Sequence, residues 1–71
     1  MSLREGEVLG WIVEGKRDAE IAAILGLSTR TVEKHVQHIL EKVGVETRTG
    51  AVTWCHERRR AIESAIIPNS Q

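Results

Sequence analysis

Aromatic residues are almost missing from this chain: its 71 residues include two tryptophans, Trp11 and Trp54, and neither phenylalanine nor tyrosine. A core built with so few large side chains is thin, which fits one small domain that gains from a partner surface. Cysteine is as scarce, and Cys55 alone excludes an internal disulfide and a zinc site built from several thiols. No apolar run has membrane-spanning length and no charged, apolar, small-residue stretch reads as a signal peptide, so a cytoplasmic protein without membrane contact is expected. An excess of one charge is missing too: ten Lys and Arg face ten Asp and Glu. Repeats, linkers and low-complexity tracts are absent, and the expected organisation is one domain over residues 1–67 with a disordered tail over 68–71.

What is present is a helical pattern with sharp punctuation. Residues 18–43, DAEIAAILGLSTRTVEKHVQHILEKV, read as two helices joined by a three-residue turn, the layout of a helix-turn-helix. Asp18 is expected to cap the first, Ile21, Ala22, Ile24 and Leu25 to form its apolar face, and Gly26 to end it. Leu27 plugs the turn and Ser28 caps the second helix, in which Val32, Val36, Ile39, Leu40 and Val43 recur at three-and-four spacing. Ala22 falls four residues before the glycine, where two helices meet steeply, and Val32 six residues after it, where it can lock one helix on the other. These coincidences together set the unit apart from a plain helical hairpin.

Two further helices frame it. Ser2 and Glu5 have the spacing of a capping box for a helix over 3–14, with Val8, Leu9 and Ile12 inward, Trp11 beside them, and Gly15 as the stop. After Gly44 and Val45 a last helix is expected from near Thr47 to about Ile66. At about 100° per residue, Val52, Cys55, Arg59, Ile62 and Ile66 form one stripe of it and Ala51, Trp54, Arg58, Ala61 and Ala65 an adjoining one, together roughly 160° wide. A small domain covers one stripe near the helix start, and the overhang calls for another molecule.

A neutral chain leaves no strong phosphate footprint, yet the charges are unevenly spread. Glu5, Glu7 and Glu14 face only Arg4 in the first fifteen residues, whereas Lys16, Arg17, Arg30, Lys34, Lys42 and Arg48 lie in or beside the helix-turn-helix. Glu20, Glu33, Glu41 and Glu46 dilute them, which predicts modest affinity per monomer. His35 reads as a packed, hydrogen-bonded side chain, and His35 with His38 lacks a third metal ligand. Cys55 and His56 diverge by about 100° on a helix, a poor geometry for nucleophile and base, so no catalytic residue, metal, cofactor or small-molecule ligand is expected.

With these residues in place, the chain resembles the LuxR/FixJ-type, or GerE-type, DNA-binding domain. The resemblance is carried by Ser2, Arg4, Glu5, Glu7, Val8 and Leu9, by Gly15, Glu20, Ile21 and Ala22, and by Leu25, Leu27, Ser28, Thr31, Val32 and His35. It continues through Ile39, Lys42, Gly44, Val45, Arg48 and Ala51, and AVTWCHER is similar to the NarL-like branch of response-regulator output domains. It implies an all-α, four-helix bundle containing a helix-turn-helix, and a bacterial transcription regulator that binds double-stranded DNA as a homodimer. The 71 residues fit a stand-alone regulator or a piece of one with a receiver or ligand-binding domain. Departures from the family pattern include Glu33, where Lys or Arg is common, together with Arg17, Asp18 and Ala19.

The resulting assignment places the reading helix at about 29–43 in the major groove. Arg30, Glu33, Lys34 and Gln37 are expected to read bases, and Lys16, Arg17, Thr29, Thr31 and Lys42 to hold phosphates. Val52, Cys55, Arg59 and Ile62 are expected at a dimer seam, and RNA polymerase is a further candidate partner. Two other classes stay open at this point: a module like region four of a sigma factor, and an interaction or anti-regulator module that dimerises through the final helix.

Overall fold

The first helix begins where the Ser2 hydroxyl accepts the Glu5 N–H at 3.2 Å and the Glu5 carboxylate accepts the Ser2 N–H at 3.1 Å. This reciprocal pair is the expected capping box, and it starts α1 (Leu3–Val13). In the computed structural model, which describes residues 1–66, three more helices follow: α2 (Asp18–Leu25), α3 (Thr29–Val43) and α4 (Arg48–Ile66). The architecture is all-α, four helices with a helix-turn-helix formed by α2 and α3. The tail expected over 68–71 lies outside the described residues.

The turn between α2 and α3 depends on Gly26, whose φ of 70° is in the left-handed region that a Cβ disfavours. From there the Leu27 N–H reaches back to the Ala22 carbonyl at 2.9 Å. Ser28 then caps α3 by accepting the Thr31 N–H at 3.1 Å. The cap of α2 departs from expectation: Arg17, not Asp18, is the N-cap residue. A guanidinium cannot accept a hydrogen bond, so the Glu20 carboxylate alone works here, taking the Arg17 N–H at 2.8 Å. Asp18 stands one position inside the helix, where its carboxylate pairs with Arg48. At the start of α4 the Thr47 hydroxyl accepts the Gly50 N–H at 2.9 Å, so the helix begins where the sequence placed it.

The core lies where α1, α2 and α4 meet α3. Val8, Leu9 and Ile12 come from α1, Ile21 and Ala22 from α2, Val32, Val36 and Ile39 from α3, and Ala51 from α4. Both tryptophans sit half-buried at its rim, so the packed centre is aliphatic throughout. The small Ala22 and Ala51 are buried where helices cross, which allows close approach. Ile24 is a correction, since it is 47% exposed on the outer side of α2 and only Ile21 and Ala22 of the predicted face are buried. An eight-residue helix leaning on one neighbour buries a narrow stripe, and Ile24 falls outside it.

Candidate nucleic-acid interface

Helix α3 sorts its side chains by the periodicity that builds the core. Val32, Val36 and Ile39 are buried, whereas Arg30, Glu33, Lys34 and Gln37 are all exposed. At 3.6 residues per turn these four occupy an arc of about 100° on the side away from the core. The structure therefore brings the four predicted base-reading residues together on one open face. Thr29 and Thr31 lie in the first turn of α3, where backbone N–H groups and the helix dipole favour an anion. Thr29 is exposed; Thr31 is half-buried and its hydroxyl is 2.9 Å from that of Ser28.

The connection that carries Lys16 and Arg17 is held from behind by Arg48. One guanidinium nitrogen bonds the Asp18 carboxylate and the other donates to the Lys16 carbonyl at 3.0 Å, so the first residue of α4 ties down the start of α2. The Lys16 N–H also donates to the Trp11 carbonyl at 3.0 Å, which fixes the backbone under both basic side chains. Sequence reasoning counted Arg48 among the loose cations of the region and missed this role. A signal existed: a cation in the first turn of a helix opposes the helix dipole and needs a compensating partner elsewhere.

Lys42 is exposed, and its ammonium donates to Glu5 at 3.0 Å, which ties α3 to α1. His38 joins the same carboxylate, its Nδ1 3.6 Å from the other Glu5 oxygen. His35 is half-buried, but its ring makes no hydrogen bond among the described residues, so only the packing part of the expectation matches. Among the described residues no group of three His, Cys, Asp or Glu gathers as metal ligands would, and no helix is long and apolar enough to cross a membrane.

Glu5 carries the largest electrostatic perturbation in this region. The Lys42 hydrogen bond, followed by the Ser2 N–H, lowers its pKa from 4.5 to about 2. A carboxyl whose pKa falls on folding stabilises the native state above its unfolded value, and that stabilisation drains as pH drops towards the folded value. The thermal midpoint of the native domain is therefore expected to fall between about pH 4.5 and pH 2. Glu5→Gln removes much of that dependence. Parallel melting-temperature profiles for the two proteins across this window would show that Glu5 is not the group responsible.

On α4 the expected seam divides in two. Val52 and Cys55 are half-buried against the domain's own core, whereas Arg59 and Ile62 are exposed, Ile62 by 54%. Burial pushes the Cys55 thiol above its ordinary pKa, which leaves it a protonated packing group at neutral pH. Arg58 lies 4.9 Å from the centre of the Trp54 ring, a cation–π contact that the sequence did not reveal, and Arg59 faces Glu63 at 4.0 Å. Every residue from 56 to 65 is exposed, so the second half of α4 extends beyond the packed helices.

A short helix, a tight glycine turn and a second helix with an open polar arc define a helix-turn-helix DNA-binding domain. The family model for bacterial regulatory proteins, luxR family, matches residues 1–55, and the chain belongs to that family. Over 51 residues it is 47% identical to the transcriptional activator protein EsaR of Pantoea stewartii subsp. stewartii, covering 72% of this chain and 20% of that protein. It is 37% identical over 64 residues to the transcriptional regulatory protein MctR of Rhizobium johnstonii, covering 90% of this chain and 27% of that protein. The transcriptional repressor ThaA of Burkholderia thailandensis is 39% identical over 51 residues, covering 72% of this chain and 21% of that one. Among solved structures, the response regulator ChrA of a heme-sensing two-component system superposes with a TM-score of 0.76 at 40% identity, covering 82% of this chain and 29% of that chain. The chain spans about a fifth of the length of the curated relatives it matches. Residues 1–55 are therefore a DNA-binding domain of the luxR transcription-regulator family.

Proposed function

We propose that this domain binds duplex DNA sequence-specifically as a homodimer in the cytoplasm, with α3 in the major groove. The observation that carries the reading is the exposed arc of Arg30, Glu33, Lys34 and Gln37 opposite a fully buried stripe. Such an arc presents hydrogen-bonding side chains at the width of one groove while the stripe fixes their direction. Lys16, Arg17, Thr29 and Thr31 supply phosphate contacts that set the register of the helix on the duplex. Lys42, exposed even while it pairs with Glu5, belongs to the same set. Val52, Cys55, Arg59 and Ile62 form the seam with a second copy.

The test is binding to duplex DNA over a range of salt concentrations. Each neutralised phosphate contributes about 0.9 to the slope of log affinity against log salt, so Lys16→Ala with Arg17→Ala is expected to flatten that slope by roughly two per subunit. Affinity falls on all sequences alike, because phosphates carry no base identity. An unchanged slope would place the α1–α2 connection away from DNA and overturn this docking.

A further inference from the structure

The acidic member of the reading arc has no work within the fold. Glu5, Glu20 and Glu63 each hold a partner, and Glu7 pairs with Arg4 at 3.3 Å. Glu33 is exposed and makes no ion pair or side-chain hydrogen bond among the described residues, as is true of Glu14, Glu41, Glu46 and Glu57. Of these five only Glu33 and Glu41 lie on the angular arc of the reading face. Arg30, one turn before it at the spacing of a helix ion pair, does not close on it. A free carboxylate aimed at a polyanion is repelled unless the surface it meets offers donors.

We infer that Glu33 makes this protein a reader of cytosine, accepting a hydrogen bond from the N4 amino group of one cytosine per half-site. This rests on the major-groove reading proposed above and gives it a base identity. The edge of each base decides the matter. Guanine presents the acceptors N7 and O6, thymine the acceptor O4 and a methyl group, and adenine sets its N6 amino beside the acceptor N7. An ionised carboxylate only accepts, so it is opposed by guanine and thymine and half-opposed by adenine. Cytosine alone is a base whose own major-groove edge carries a donor and no acceptor, the neighbouring O6 belonging to its paired guanine.

Position supports the same assignment. Glu33 is the fifth residue of α3, in the part of a reading helix that meets base edges. Arg30 and Lys34 flank it, so the first two turns of the helix carry a net positive charge and the carboxylate can be brought into the groove. Glu41 shares the angular arc but stands two turns further on, about 12 Å along the axis, and is not part of this contact.

Selection from a library of duplexes with a randomised core tests the assignment and requires no operator to be identified beforehand. The native protein is expected to enrich cytosine at one position of each half-site, by about fivefold or more over guanine and thymine. Glu33→Ala, a change at an exposed site that circular dichroism can confirm as folded, brings that position to near parity and leaves the other enriched positions unchanged. Glu33→Gln moves the preference to adenine, whose N6 and N7 match an amide. A uniform rise in affinity for Glu33→Ala with the same base preferences would overturn the inference, because the carboxylate would then act only as a repulsive charge. A shift at a position where the native protein prefers another base overturns it equally. If the native protein enriches no sequence at all, the sequence-specific reading fails and the cytosine assignment falls with it.

Discussion

Ile39→Ala is expected to remove about 2–5 kcal/mol of folding stability, the cost of emptying a buried aliphatic site that can collapse only in part. Ile39 is fully buried on α3, the helix on which α1, α2 and α4 all converge. No tryptophan reaches the packed centre, so no large neighbour is available to fill the hole. A domain of this size has a total stability on the order of 4–10 kcal/mol, so a single truncation removes a large share of it. Urea unfolding at an unchanged slope reads the difference directly as a lower midpoint. A loss under about 1 kcal/mol would mean that the helices close over the cavity and that the aliphatic centre is more plastic than its burial suggests. DNA binding would weaken in step with the unfolded fraction, since the same stripe of α3 that packs the core aims Arg30, Lys34 and Gln37 outward.

That coupling explains which parts of the molecule were legible in the sequence. A repeat of three and four residues names the buried face of a helix and its exposed face at once, so Val32, Val36 and Ile39 on one side imply Arg30, Glu33, Lys34 and Gln37 on the other. Local punctuation was equally readable. The Ser2–Glu5 box, Gly26, the Ser28 cap and the Thr47 start of α4 depend only on neighbours within four residues.

What the sequence did not reveal has a different cause. Asp18 and Lys42 read from their own helices, but their ion-pair partners, Arg48 and Glu5, lie 30 and 37 residues away. Arg48 itself could be understood only after α4 was seen to start beside α2. Ile24 required knowing how narrow a contact α2 makes with α3. Periodicity fixes a face; it does not say how much of that face a neighbour covers, or which distant charge waits beside it.

The largest effect on DNA binding is expected from Ile62→Glu. From residue 56 onwards α4 lies outside the domain's own packing, and an isolated helical stretch of that length is marginal in water without a surface to rest on. A second copy related by a two-fold axis would supply that surface and hold two reading helices about one DNA turn apart. Linking two half-site contacts in this way raises affinity by about 10²–10⁴ over one contact, because the second becomes intramolecular. A carboxylate at Ile62 places like charges face to face across the seam while touching nothing in the core, since Ile62 is 54% exposed in the single domain. Val52→Glu is the less clean variant, because Val52 also packs against the core of its own chain. Ile62→Glu is therefore expected to yield a folded monomer with an unchanged melting temperature at low protein concentration, an unchanged affinity for a single half-site, and a loss of at least about 10² in affinity for paired half-sites. Sedimentation equilibrium at micromolar concentration separates the outcomes: a variant that still dimerises would move the seam away from this stripe of α4.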